Sequence, residues 1–154
     1  MDNPSPPPVI TATARVEASP AQVEQWFRAL EAHPEQYRFD THEGFTFIEG
    51  QFGQAGARFQ TRERFYGLPL RLTFQLTEVS EARFCFRLVR PTLPIWGAFL
   101  INEGPEGTTD LRLEIGGETR LGQWLLRLPG VGSAIRRQIQ AEVDHIKASV
   151  ETAQ

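Results

Sequence analysis

Between Arg58 and Ile115, four segments alternate apolar and polar residues with a period of two. In the first, Phe59, Thr61, Glu63 and Phe65 interleave with Arg58, Gln60, Arg62 and Arg64. Leu70, Leu72, Phe74 and Leu76 then oppose Arg71, Thr73, Gln75 and Thr77, and Phe84, Phe86 and Leu88 oppose Arg83, Cys85 and Arg87. Leu111, Leu113 and Ile115 oppose Asp110, Arg112 and Glu114. Successive side chains on a strand point to opposite faces, so this pattern specifies a sheet with one apolar, phenylalanine-rich face and one Arg-rich face toward water. Only short turn segments intervene, such as Gly67-Leu68-Pro69, Ser80-Glu81 and Gly104 to Gly107. Parallel strands need a long crossover, so the connections imply an antiparallel meander.

The remaining elements follow from local signals. Ile10, Ala12, Ala14 and Val16 alternate with Thr11, Thr13 and Arg15, which predicts a first strand over Val9 to Glu17. Ser19 is placed to cap a helix, with Pro20 at its first position and Gln22 completing a capping box. Val23, Trp26, Phe27 and Leu30 form its apolar stripe, and Pro34 opens a second short helix through Tyr37. Strands are expected at Glu43 to Glu49, Ala57 to Tyr66, Leu70 to Val79, Ala82 to Val89, Ile95 to Glu103 and Thr109 to Ile115. In the ambiguous Ile95 to Glu103 strand, Gly97, Phe99 and Ile101 are taken as inward. Thr119 caps a helix carrying Leu121, Trp124, Leu125 and Leu128. After Pro129-Gly130, the spacing of Ile135, Ile139, Val143, Ile146 and Val150 predicts a long C-terminal helix. Met1 to Pro8, with four prolines, reads as a disordered tail before one domain over residues 9–152.

The chain has 154 residues, 23% of them charged, with a net charge of −3, so no bulk basic field calls for nucleic acid. No apolar run approaches the roughly 20 residues of a membrane span. Cys85 is the sole cysteine, which rules out an internal disulfide and fits a reducing compartment, so a cytoplasmic location is expected. His33, His42 and His145 lack ligand spacing and one cysteine makes no zinc site, so neither a metal nor another cofactor is expected.

The Ser19-Pro20 helix start, the Gly50-x-x-Gly53-x-x-Gly56 loop, the meander and the Ile135 to Val150 helix together resemble the helix-grip fold. This is the START or Bet v 1-like superfamily (SRPBCC), which includes polyketide cyclase/dehydratase and lipid-transport proteins. The resemblance implies an α+β architecture: a curved seven-stranded antiparallel sheet around a long C-terminal helix, with two short helices after the first strand. It also implies a deep cavity for lipids, polyketides, isoprenoids or other apolar compounds. None of the cyclases' functional residues has a matching motif here.

Phe45, Phe47, Phe59, Phe65, Leu72 and Phe74 are expected to wall such a cavity. Phe84, Phe86, Phe99, Leu111 and Leu113 complete the sheet side, and Ile139 and Val143 face it from the helix. Thr61 and Glu63 fall on the same inward face. An inward carboxylate needs a partner or a raised pKa, so Glu63 is the candidate ligand handle or general acid/base; an internal ion pair is its alternative. Tyr37 and His42, beside Asp40 and Glu43, are expected in a polar loop near the mouth. The leading expectation is a binder of a hydrophobic small molecule. A cyclase/dehydratase-type enzyme and a partner-binding module working through the Arg face are the alternatives, and a homodimer is open. Core packing over the sheet end is expected for the Leu121, Trp124, Leu125 and Leu128 stripe, with a lid or a patch touching a membrane or a second subunit as alternatives. Cys85, flanked by Arg83 and Arg87, is read as structural although the arginines would favour its thiolate.

Overall fold

A seven-stranded antiparallel sheet curls around one long helix in the computed structural model, which describes residues 6–40 and 42–153. The strands are β1 (Ile10–Val16), β2 (His42–Glu49), β3 (Arg58–Phe65), β4 (Leu68–Val79), β5 (Arg83–Arg90), β6 (Ile95–Glu103) and β7 (Thr109–Gly117). Helix α1 (Pro20–Ala29) and a 3-10 helix (Pro34–Tyr37) follow β1; α2 (Arg120–Arg127) and α3 (Val131–Thr152) follow β7. The sheet order is β1-β7-β6-β5-β4-β3-β2, so β1 and β2 form opposite edges. The α1 segment and the 3-10 helix carry the chain between these edges. Register shifts between β2 and β3 and between β4 and β5 supply the local bends a curling sheet needs.

Local chemistry holds the elements as the sequence leads one to expect. Ser19 accepts the Gln22 amide while the Gln22 side chain accepts the Ser19 amide, a complete capping box. Trp26 Nε1 donates to Ser149 Oγ at 2.7 Å, tying α1 to α3. Lys147 Nζ donates to the Arg15 carbonyl at 2.7 Å, tying α3 to β1. On the outer face, Arg58, Arg64 and Arg87 pair with Glu49, Glu43 and Glu118, the solvated pattern such a face predicts. Cys85 is buried, with Arg83 Nε 2.9 Å from its sulfur. Burial raises its pKa despite the arginine, in keeping with a structural cysteine.

One expectation changes. Of the tail expected to be disordered through Pro8, Met1 to Ser5 lie outside the described residues, and the Pro7 carbonyl accepts Gln123 Nε2 at 3.1 Å. The α2 stripe does not pack over the sheet end: Leu121 and Trp124 are exposed, while Gly122 and Leu126 face inward. The reason is steric. A Cβ on Gly122 would stand 2.1 Å from the Pro94 carbonyl oxygen and 2.9 Å from Gly117 Cα, so backbone meets backbone there. The glycine side of α2 can approach more closely than the leucine side. Gly122→Ala is accordingly expected to cost about 2–3 kcal/mol by forcing α2 off the sheet, seen as a lowered urea midpoint. An unchanged midpoint would show that α2 docks by other means.

Candidate functional site

The inner face of the sheet carries a belt of phenylalanines built from cross-strand partners. Phe47 is opposite Phe59, Phe59 opposite Phe74, and Phe84 opposite Phe99. Ring centroids lie 5.3 Å apart for Phe45–Phe59, Phe59–Phe74 and Phe74–Phe86, alternating tilted, stacked and edge-on contacts. Gly97, opposite Phe86, makes room for that ring, which lies 2.4 Å from where a Cβ would stand. Between this belt and α3 lies a cavity of about 180 Å³.

The cavity wall includes Thr61, Glu63 and every phenylalanine expected there, together with Leu72, Leu113 and Ile139. Leu111 and Val143 do not line it. Both are fully buried in the packed core, because the cavity stops short of the β7 and α3 positions they occupy. Phe52, from the Gly50–Gly56 loop, is an addition to the expected wall; it folds over the cavity with its ring 5.0 Å from Phe84.

One end of the cavity is polar. Glu63 on β3 pairs across the sheet with His42 on β2. From α3, Gln138 and Glu142 reach the same place, and Tyr37 arrives from the 3-10 helix. Thr61 Oγ1 donates to Glu63 Oε2 at 3.1 Å and Gln138 Nε2 donates to Glu63 Oε1 at 3.3 Å. Tyr37 Oη donates to Glu142 Oε1 at 3.1 Å. His42 Nε2 lies 3.9 Å from Glu63 Oε1 and 3.7 Å from Glu142 Oε1. Tyr37 and His42 are thus not in a polar loop at a mouth. They are buried, with their ring centroids 4.5 Å apart, and form the floor of the polar end.

Electrostatics here follow from burial without a cation, for no Arg or Lys lines the cavity among the described residues. Burial pushes Glu63 up to about 7, against the hydrogen bonds from Thr61 and Gln138. Glu142 is raised well above the usual carboxylate range, first by burial and then by repulsion from Glu63. Burial lowers His42 to about 4, so its ring is neutral near pH 7. No side chain hydrogen-bonds either ring nitrogen of His42, and the weak pull of the Tyr37 backbone only partly offsets the burial. Two accepted hydrogen bonds favour the anion at Glu63. Glu142 accepts one and faces the neighbouring charge, so it keeps the proton the pair retains.

Sequence spacing pointed to no metal ligand set, yet the fold assembles one possibility. Ligand atoms of His42, Glu63 and Glu142 all lie within 4.8 Å of one another, so a small divalent ion could sit among them once both carboxyls lose their protons. Glu142 and Gln138 were missed by the sequence reading although a signal existed. They stand at i+7 and i+3 from Ile135, on the same helical face as Ile139 and Ile146.

The seven-stranded curl gripping α3 over a largely apolar cavity is the helix-grip fold of START and Bet v 1-like proteins. No protein-family model and no curated relative matches the chain. Solved structures do. TTHA0849 from Thermus thermophilus is 16% identical, with a TM-score of 0.72 over 94% of this chain and 98% of its own. The Zhui aromatase/cyclase from Streptomyces sp. R1128 is 14% identical, with a TM-score of 0.71 over 92% of each chain. Ara h 8.0201, a Bet v 1 allergen, is 11% identical, with a TM-score of 0.68 over 93% of this chain and 97% of its own. At these identities the likeness establishes the fold. No helix among the described residues is long and apolar enough to cross a membrane.

Proposed function

We propose that the protein binds a small amphipathic molecule and moves a proton on it, as a cyclase/dehydratase-type enzyme acting on an enolisable carbonyl. One observation carries this reading: four proton-bearing groups, Tyr37, His42, Glu63 and Glu142, converge on one end of an otherwise apolar cavity. A carrier needs at most one such group to orient its cargo. The aromatase/cyclase among the neighbours of like fold lends the same direction. The cavity volume of about 180 Å³ limits the ligand. A cavity of roughly 150 Å³ holds one benzene, so one substituted ring fits without rearrangement.

The ligand's rings lie against the phenylalanine belt with its carbonyl at the polar end. Glu63, as carboxylate, takes the proton from the carbon next to the carbonyl. The C–H electron pair becomes the C=C bond of an enol, and Glu142 gives its proton to the carbonyl oxygen. The cycle leaves Glu63 protonated and Glu142 ionised. Neutral His42, facing one oxygen of each, returns the proton from Glu63 to Glu142.

The test is hydrogen–deuterium exchange at the α-carbon of one-ring ketones such as acetophenone, followed by NMR in heavy water. Exchange above the buffer rate is expected, with a loss of about 10²- to 10⁴-fold in Glu63→Gln. Exchange at the buffer rate with intact binding would leave a binding protein only; no binding would remove the pocket reading as well. Exchange that is lost with EDTA and restored by zinc would move the chemistry to a cation on the same three residues.

A further inference from the structure

The stripe that should have been core on α2 faces water. Leu121 and Trp124 are 57% and 58% exposed, and exposed Val131 follows at the start of α3. The tip of the β3–β4 hairpin adds Tyr66 and Leu68, 70% and 67% exposed. Tyr66 Oη donates to the Gly130 carbonyl at 2.5 Å, so the hairpin tip and the α2–α3 junction are held together. The surface also adjoins the cavity, whose wall reaches Phe65, next to Tyr66, and Ile135, one turn beyond Val131.

Its charge identifies what it meets. From Thr119 to Gln140 the chain carries Arg120, Arg127, Arg136 and Arg137 and no acidic residue, within a protein of net charge −3. All four are exposed, and none is in an ion pair among the described residues. A second copy packed face to face would set this patch against itself, with Arg120 and Arg127 opposing their counterparts, which like-charge repulsion disfavours. Short amphipathic helices with leucine and tryptophan on one side and flanking arginines suit the headgroup layer of a bilayer, where aromatic rings sit at the interface and arginines meet anionic lipid.

We infer that α2 and the β3–β4 hairpin tip form a docking surface for an anionic membrane, placing the cavity's rim at the lipid from which an apolar ligand would enter. The whole chain would lie on the bilayer, anchored by Leu121 and Trp124 and held by Arg120 and Arg127 beside them on α2. Docking does not depend on the proton chemistry: vesicle binding and α-carbon exchange can each fail without the other.

Co-sedimentation of the full chain with phosphatidylcholine vesicles, with and without half phosphatidylglycerol, tests this. Binding to the anionic vesicles is expected, weak or absent on the neutral ones, and falling with added salt. Each lost arginine is expected to weaken binding roughly fivefold, and the Arg120→Glu/Arg127→Glu variant at least about 25-fold. Leu121→Ser/Trp124→Ala is expected to abolish it with the melting temperature preserved, because both side chains are exposed. A blue shift of tryptophan emission on binding, missing in Trp124→Phe, places that ring in the lipid. No binding to anionic vesicles, binding that survives both double variants, or a dimer by sedimentation that the apolar variant dissolves would each overturn the inference.

Discussion

The melting temperature is expected to fall as pH rises from about 5 to about 8, and Glu63→Gln/Glu142→Gln is expected to reverse the slope below neutrality. Glu63 and Glu142 both hold protons in the folded protein at pH values where unfolded glutamates, near 4.3, have lost them. A raised carboxyl pKa stabilises fully below the unfolded value. That contribution is lost as pH climbs through the folded one, about 7 for Glu63. His42 acts oppositely. With its folded value lowered to about 4, folding excludes a proton up to the ordinary histidine value, so stability rises with pH over that interval. Two excess protons against one deficit leave a net loss of about 1.4 kcal/mol per pH unit below about 6.5, steeper just above it. Removing both carboxyls leaves only His42, hence a rise with pH that levels off near neutrality. Thermal melts at constant ionic strength read this directly. A wild-type profile that rises through the window would mean that the two carboxyls ionise freely and are not buried as described.

Phe84→Ala is expected to destabilise the protein by about 3–5 kcal/mol and to widen the range of ligands it holds. Phe84 is 1% exposed, lines the cavity, and has its ring centroid 5.2 Å from Phe27 and 5.0 Å from Phe52. Its removal takes away apolar contact on both sides and opens a ring-sized space beside the existing one. Ligands one ring larger, such as naphthalene derivatives, are then expected to raise the melting temperature of the variant more than that of wild type, since a ligand bound only by the folded state stabilises it. Phe84→Leu supplies a folded comparison if the alanine variant is too unstable. A cost below about 1 kcal/mol with no change in ligand range would mean that Phe52 and Phe27 collapse into the gap.

Glu63 shows how far local pattern reaches. Its inward position follows from period-two alternation, and the structure places it in the cavity. Its partners do not follow, because they come from three other elements. His42 is opposite it only through the β2–β3 register, Tyr37 through the 3-10 helix, and Glu142 through the rotation of α3. The helical spacing does put Glu142 on the inner side of α3, but an acidic residue at the flank of an apolar stripe reads equally well as solvated. The α2 stripe fails for the converse reason: amphipathicity says that a helix has two faces, not which one is buried.

Strand faces, caps, the break at Pro129-Gly130 and the grip around α3 were therefore written in local order, because side-chain period, φ restriction and short connections act over a few residues. The paired carboxyls and the outward face of α2 arose from distant contacts. Gly122 against the Pro94 carbonyl depends on how closely two backbones approach, and Gln138 on Glu63 depends on how α3 is turned toward β3; no neighbouring residue in the chain reports either.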